Sequence, residues 1–250
     1  MFSDEGIPDE MRGLFWKKCA GLSSYMDSYC PNYYWTIHEA EEKGLWKEYP
    51  TTHFAQIDKD MHRTFPSDPF YTDEIKKSMR RVFRAYVWRN PTVGYIQGIN
   101  FPFFRIRKHL SEEETFWLMC LVIESYLPPD FYVEMNGATT HATILCKIFT
   151  QYNILPNLLK TFEQMEYPLV NLTARLFLSL FSNSLPERAS VRVLDLFFLE
   201  GLHSNKIIFD VTLGYLRIIE HQVLKCTDQE QLQNAMNSAN YDFIKDNVLI

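Results

Sequence analysis

Thr72-Asp73-Glu74-Ile75-Lys76-Lys77-Ser78-Met79-Arg80-Arg81-Val82-Phe83-Arg84-Ala85-Tyr86-Val87-Trp88-Arg89 decides the fold class. Thr72 is an N-cap residue type, and Asp73 and Glu74 follow in the first turn, where carboxylates favour a helix start. Ile75, Met79, Val82, Phe83, Tyr86 and Val87 recur at helical spacing on one face. Lys76, Lys77, Arg80, Arg81 and Arg84 fall on the other. That basic face reads most simply as a solvated face; the alternative is that it draws in an acidic partner. Asn90-Pro91 ends the helix. The same period recurs outward from here. Pro8, Asp9 and Glu10 open a helix over residues 8–20. Ser111 and Glu114 form a capping box for residues 111–126, which Pro128-Pro129 break. Residues 141–152, 155–165, 170–183, 187–201, 204–225 and 228–238 read as further helices, separated by Pro156, Pro168, Pro186, Gly201 and Asp228. Residues 25–35 are tyrosine-rich and irregular and read as short helical pieces or a packed connection, 45–60 read as loop and short helix, and 64–71 and 130–140 as loops. No period-two pattern bounded by hairpin turns occurs. The expectation is an all-α fold with short connections and two packed sub-bundles dividing near Pro128.

Composition narrows the function. The 250 residues are 46% hydrophobic and 15% aromatic, ample for a buried core in one large helical domain. The net charge of −6 argues against nucleic acid as the main ligand, because phosphate binding leaves a basic imprint. The five cysteines are scattered and never in a C-x-x-C pair, which reads as free, mostly buried thiols in a reducing compartment. The acidic N-terminus lacks an apolar signal core. No segment approaches about 20 uninterrupted apolar residues, so direct membrane insertion is not expected. The expected location is cytoplasmic, with organelle membranes reached through partners.

The chemistry left to explain sits in two short stretches. Asp60-Met61-His62-Arg63-Thr64-Phe65-Pro66 carries an arginine at the exit of a short helix, ahead of an irregular segment. Gly94-Tyr95-Ile96-Gln97-Gly98-Ile99-Asn100 carries a glutamine between glycines, with a helix expected to begin near Gln97. No phosphate-cradling glycine loop, H-E-x-x-H or G-x-S-x-G occurs, so no nucleotide or nucleophile site of the chain's own is expected. His62 reads as a surface residue rather than a base. An arginine offers a planar, permanently charged fork of donors, and a glutamine amide can donate and accept at once. In GTP hydrolysis these are the two groups that matter most beyond the nucleotide's own Mg²⁺: one stabilises developing charge, the other orients the attacking water. On chemistry alone each has a structural alternative. Arg63 could pair with Asp60 three residues earlier on one helical face, and Gln97 could brace a loop or cap a helix.

At these stretches the chain resembles the TBC domain family of GTPase-activating proteins for Rab GTPases. Ile57, Asp60, Arg63, Thr64 and Pro66 fit the family's I-x-x-D-x-x-R-T-x-P motif, and Tyr95, Gln97, Gly98 and Asn100 fit Y-x-Q-G-x-N. Gly6-Ile7-Pro8, Arg12 and Trp16 look like its N-terminal G-I-P-x-x-x-R-x-x-x-W signature. The likeness continues through Tyr167-Pro168, Phe177 to Phe181, Leu185-Pro186 and Arg192-x-x-Asp195 to Glu200-Gly201, so it covers nearly the whole chain. Leu176 and Leu194 stand where the family often has tryptophan, a change of core packing. The resemblance implies a two-lobed, all-helical domain over residues 1–250, with an N-terminal lobe of about 1–127 carrying both fingers and a C-terminal lobe of about 128–250. It implies an activator of another protein's GTPase rather than an enzyme with its own nucleotide site. Arg63 would be the arginine finger, and Gln97 would act in trans as the glutamine finger. Asp60, Thr64, Pro66, Tyr95, Gly98 and Asn100 would support them. The implied partner is a Rab GTPase of vesicle trafficking in its GTP-bound state, which itself carries GTP and Mg²⁺; no cofactor of the domain's own is expected. A GTPase-binding scaffold that does not accelerate hydrolysis is the alternative.

Overall fold

The computed structural model describes residues 6–46, 51–133 and 136–238; Met1 to Glu5 and the stretch after residue 238 lie outside it. The order is α1 (Asp9–Cys19), α2 (Leu22–Asp27), α3 (Tyr33–Glu42), α4 (Thr51–Arg63), α5 (Asp73–Arg89), α6 (Asn100–Arg107), α7 (Glu112–Leu121), a π-helix (Val122–Tyr126), α8 (Asn136–Gln151), α9 (Pro156–Gln164), α10 (Leu169–Leu178), α11 (Glu187–Glu200), a 3₁₀ turn (Gly201–His203), α12 (Asn205–Val223) and α13 (Gln229–Ser238). No strand occurs among the described residues. The fold is all-α and two-lobed: α2 to α7 pack chiefly on one another, α8 to α10 pack with α12 and α13, and α1 against α11 joins the groups. Buried side chains from Trp16 to Met236 form one continuous cluster. Leu176 and Leu194 are both fully buried in it.

Local chemistry explains the helix ends. The Thr72 hydroxyl accepts from the Ile75 N–H, and Ser111 and Glu114 satisfy each other's backbone N–H groups in a complete capping box. The expected helix over 111–126 is continuous in the chain, but its last turn widens to a π-helix closed by Leu127 N–H to Val122 C=O at 3.0 Å.

Four readings need correction. The α8 helix begins at Asn136, inside the expected 130–140 loop, because Gly137 N–H and Ala138 N–H bond back to the carbonyls of Asp130 and Phe131. The α10 helix stops at Leu178 rather than running to 183; Leu180 and Phe181 adopt left-handed φ of 41° and 61°. The cysteines are less buried than expected: only Cys120 is fully so, and Cys30 is exposed.

The fourth concerns the basic face of α5, which is solvated at Lys76 and Lys77, paired there only with Asp73 and Glu74 of the same first turns, while its arginines are taken by other helices. Arg80 Nε lies 2.6 Å from Asp58 of α4, and Arg81 grips Glu112 of α7 in a bidentate pair at 2.7 and 2.6 Å. Arg84 pairs with Glu41 of α3, its guanidinium 4.2 Å above the Phe54 ring. Arg89 holds Glu124 of the π-helix in a second bidentate pair and donates to Tyr29 at 2.8 Å. These arginines form the seam between α5 and its neighbours.

Candidate functional site

The α4 helix buries Ile57, Asp60 and Met61 and leaves His62 and Arg63 exposed in its last turn. A cation at a helix C-terminus faces the negative end of the dipole, which favours Arg63 there. Asp60 is fully buried and collects three donors. Arg63 Nη2 reaches Oδ1 at 2.5 Å, Gln56 Nε2 reaches the same oxygen at 2.9 Å, and Tyr95 Oη donates to Oδ2 at 2.8 Å. The structural pairing of Arg63 with Asp60 therefore exists. It does not consume the arginine, because the side chain stays 50% exposed and the guanidinium has five donors. Burial, and then the Asp60 charge, push the Tyr95 phenol far above its ordinary range, so it stays a neutral donor.

A second chain of bonds runs beside the first. The Thr64 hydroxyl donates to the Asp60 carbonyl at 2.7 Å and accepts from Asn100 Nδ2 at 2.7 Å; Asn100 Oδ1 accepts the Gly98 N–H at 3.2 Å. Tyr95–Asp60 and Asn100–Thr64 thus clasp the two motifs together, and buried side chains make both bonds. Gln97 lies in the turn between them with its side chain exposed. The α6 helix starts at Asn100 and not near Gln97, so the glutamine is outside the helix. Gly98 has φ 110°, a region closed to most side chains, and a Cβ there would lie 3.5 Å from Leu178 at the end of α10.

The chain after Arg63 is fixed as firmly. Phe65 C=O accepts Asp68 N–H at 2.9 Å, placing Pro66 at the second position of the turn, where its fixed φ is favoured. Phe65 itself has φ 37°, unusual for a bulky residue, and its ring is held between Phe101, Phe104 and the Arg105 guanidinium, the last 3.9 Å from the ring centre. Lys108 binds Asp68 at 3.0 Å and Glu187 at 2.6 Å; Arg105 binds Glu187 at 3.1 Å. Burial alone would raise the Asp68 carboxyl, but Lys108, the Phe70 N–H and Arg105 together hold it below its usual range. Gln56, Arg105 and Lys108 were not singled out from sequence. Gln56 stands four residues before Asp60 on one helix face, a legible signal. Arg105 and Lys108 act across the fold and carry none.

The remaining motif residues also meet. Arg12 Nε and Trp16 Nε1 both donate to Asp195 Oδ1, at 2.9 and 2.8 Å, where α1 crosses α11. Burial outweighs these donors and raises the Asp195 carboxyl. Among the described residues no group of three or more His, Cys, Asp or Glu is placed to hold a metal ion, and no helix is long and apolar enough to cross a membrane.

The family model described as Rab-GTPase-TBC domain matches residues 9–224. The chain belongs to the Rab-GTPase-TBC domain family. It is 30% identical over 236 residues to small G protein signaling modulator 3 of Mus musculus, covering 93% of this chain and 30% of that protein. It is 31% identical over 229 residues to TBC1 domain family member 2B of Mus musculus, covering 89% of this chain and 23% of that one. The TBC chain thus spans less than a third of these relatives. The crystal structure of the Chlamydomonas flagellar RabGAP TBC domain superposes with a TM-score of 0.76 at 29% identity, covering 94% of this chain and 76% of that one. The YPT/Rab-GAP domain of Gyp1p gives 0.77 at 19% identity, over 96% and 84% of the two chains, which shows the shared fold alone.

Proposed function

We propose that this TBC domain is a GTPase-activating protein for Rab-type small GTPases in their GTP-bound state, with Arg63 as arginine finger and Gln97 as glutamine finger. The N-terminal lobe, about residues 1–127, presents both; the lobe from about 128 buttresses them. The observation that carries the reading is the clasp. Two buried hydrogen bonds join the Arg63 and Gln97 motifs, and the two side chains they serve are left exposed. Groups spent on core packing would face inward; these face a partner.

The roles follow from the bonding. Asp60 orients one edge of the Arg63 guanidinium and leaves the rest to meet charge that develops on a transferred phosphoryl group. Gln97 supplies a donor and an acceptor to a water molecule, aligning it for attack. Asp60, Tyr95, Thr64, Asn100, Gly98 and Pro66 hold the two side chains and do not touch the reaction. GTP and Mg²⁺ arrive with the GTPase, and Mg²⁺ neutralises phosphate charge there. An arginine finger supplies roughly 10³ to 10⁵ in rate, about 4–7 kcal/mol of barrier. Work on vesicle membranes would be through the partner and recruiting proteins.

The test is single-turnover hydrolysis by a panel of GTP-loaded Rab proteins with wild-type, Arg63→Ala and Gln97→Ala domains. Stimulation of one or a few Rabs, lost in both variants, supports the proposal and names the substrate. An Arg63→Ala domain as active as wild type sinks it, and GTP-dependent binding without acceleration would make the domain a scaffold.

A further inference from the structure

The glutamine loop has a third tie to α4, at the end of the helix farthest from Arg63. The Tyr95 N–H donates to His53 Nδ1 at 3.2 Å. The His53 ring packs close against Gly94: a Cβ at that glycine would fall 2.4 Å from Cε1 and 2.5 Å from Nε2. Gly94 also has φ +63° and donates its N–H to the Asn90 carbonyl at 2.9 Å. Its missing side chain is what lets the imidazole close on the backbone.

His53 and Asp60 are seven residues apart on α4, two turns, so they share one face about 10 Å apart. Tyr95 spans that interval. Its backbone N–H binds His53, and its phenol binds Asp60. A residue bonded at one end can pivot; bonded at both ends it cannot. Gln97 follows two residues later.

We infer that His53 is a positioning residue for Gln97, acting through Tyr95: its Nδ1, as the acceptor of the Tyr95 N–H, fixes the backbone direction in which the glutamine loop leaves α4. The inference rests on the dual-finger reading above. Because Nδ1 accepts, the ring proton resides on Nε2. The contact is made to main chain, so it sets where the loop runs and leaves Gln97 free to meet a partner.

His53→Phe keeps a flat ring over Gly94 and removes the acceptor; His53→Asn keeps an acceptor near the Nδ1 position. Two readouts are needed. Amide hydrogen exchange over residues 94–98 is expected to quicken in His53→Phe and to return toward wild type in His53→Asn, with residues 205–223 unchanged in all. In single-turnover assays against a Rab that wild type stimulates, the rate at saturating domain is expected to fall about three- to tenfold in His53→Phe, matching one lost hydrogen bond, with half-saturation unchanged. His53→Asn should recover most of it. Unchanged exchange in His53→Phe overturns the inference whatever the rates do. Quickened exchange with an undiminished saturating rate also overturns it, as does an effect on half-saturation alone. A Gln97→Ala control as active as wild type, or no Rab stimulated by wild type, overturns the dual-finger reading and with it the role given to His53. Exchange still reports the tie itself, so the two failures are distinguishable.

Discussion

Asp60 shows how a single residue can carry a site without touching its chemistry. It is fully buried, so its charge needs partners, and it takes them from Arg63, Gln56 and Tyr95. Replacing Tyr95 with Phe would leave one carboxylate oxygen buried and short of a donor. The expected cost is about 1–3 kcal/mol of unfolding free energy, read by urea titration, with a lower saturating rate of Rab stimulation. Arg63→Lys tests the other side of the pair: a point charge cannot bond Asp60 along one edge and offer a planar fork along the other, so stimulation should fall nearly as far as in Arg63→Ala while the melting temperature stays near wild type. At this scale the candidate site was legible in advance. Asp60, Arg63, Tyr95, Gln97 and Asn100 all stand in the two motifs, and the pairing of Arg63 with Asp60 follows from helical spacing. Arg105 was not legible, because its stacking on Phe65 and its pair with Glu187 join residues 40 and 82 positions away.

The turn after α4 behaves as a unit. Its stability depends on an ionised Asp68, whose carboxyl is depressed by the partners it gains on folding. A depressed carboxyl contributes stability that is fully present above the ordinary carboxylate pKa and is lost as pH falls through the lower folded value. Amide exchange over residues 64–72 should therefore quicken in acid, relative to α12, once the intrinsic pH dependence is removed. In Asp68→Asn this relative change should flatten. Helix boundaries show what pattern reading can and cannot reach. The ends at Thr72, Ser111 and Pro156 were legible because capping side chains and proline act locally. The stop at Leu178 was not, since it depends on left-handed turns at Leu180 and Phe181, residue types that give no such signal. Nor was the fate of α5's arginines: the acids that bind Arg80, Arg84, Arg81 and Arg89, namely Asp58, Glu41, Glu112 and Glu124, come from four other segments.

Across the whole molecule, Asp195 ties the N-terminal signature to the C-terminal one. Asp195→Ala would leave Arg12, buried at 5% exposure, without its main counter-charge. The expected loss is about 3 kcal/mol, or roughly 6–12 °C in melting temperature for a chain of this size. Stimulation measured well below the transition should stay near wild type, because Arg12, Trp16 and Asp195 lie outside the clasp. Differential scanning fluorimetry beside single-turnover assays separates the two effects. The all-helical class was legible from the pervasive 3.6-residue period. The meeting of α1 with α11 was not legible, since no local pattern links residues 183 positions apart.

The clasp between Asp60 and Tyr95, and between Thr64 and Asn100, also bears on inheritance. Each bond needs both halves, and each half is buried. A lineage that loses one partner gains nothing by keeping the other, so the two motifs should be retained or abandoned together. Among relatives that have given up catalysis, decay at positions 60 and 64 is expected to be accompanied by decay at 95 and 100, even where Arg63 or Gln97 itself survives.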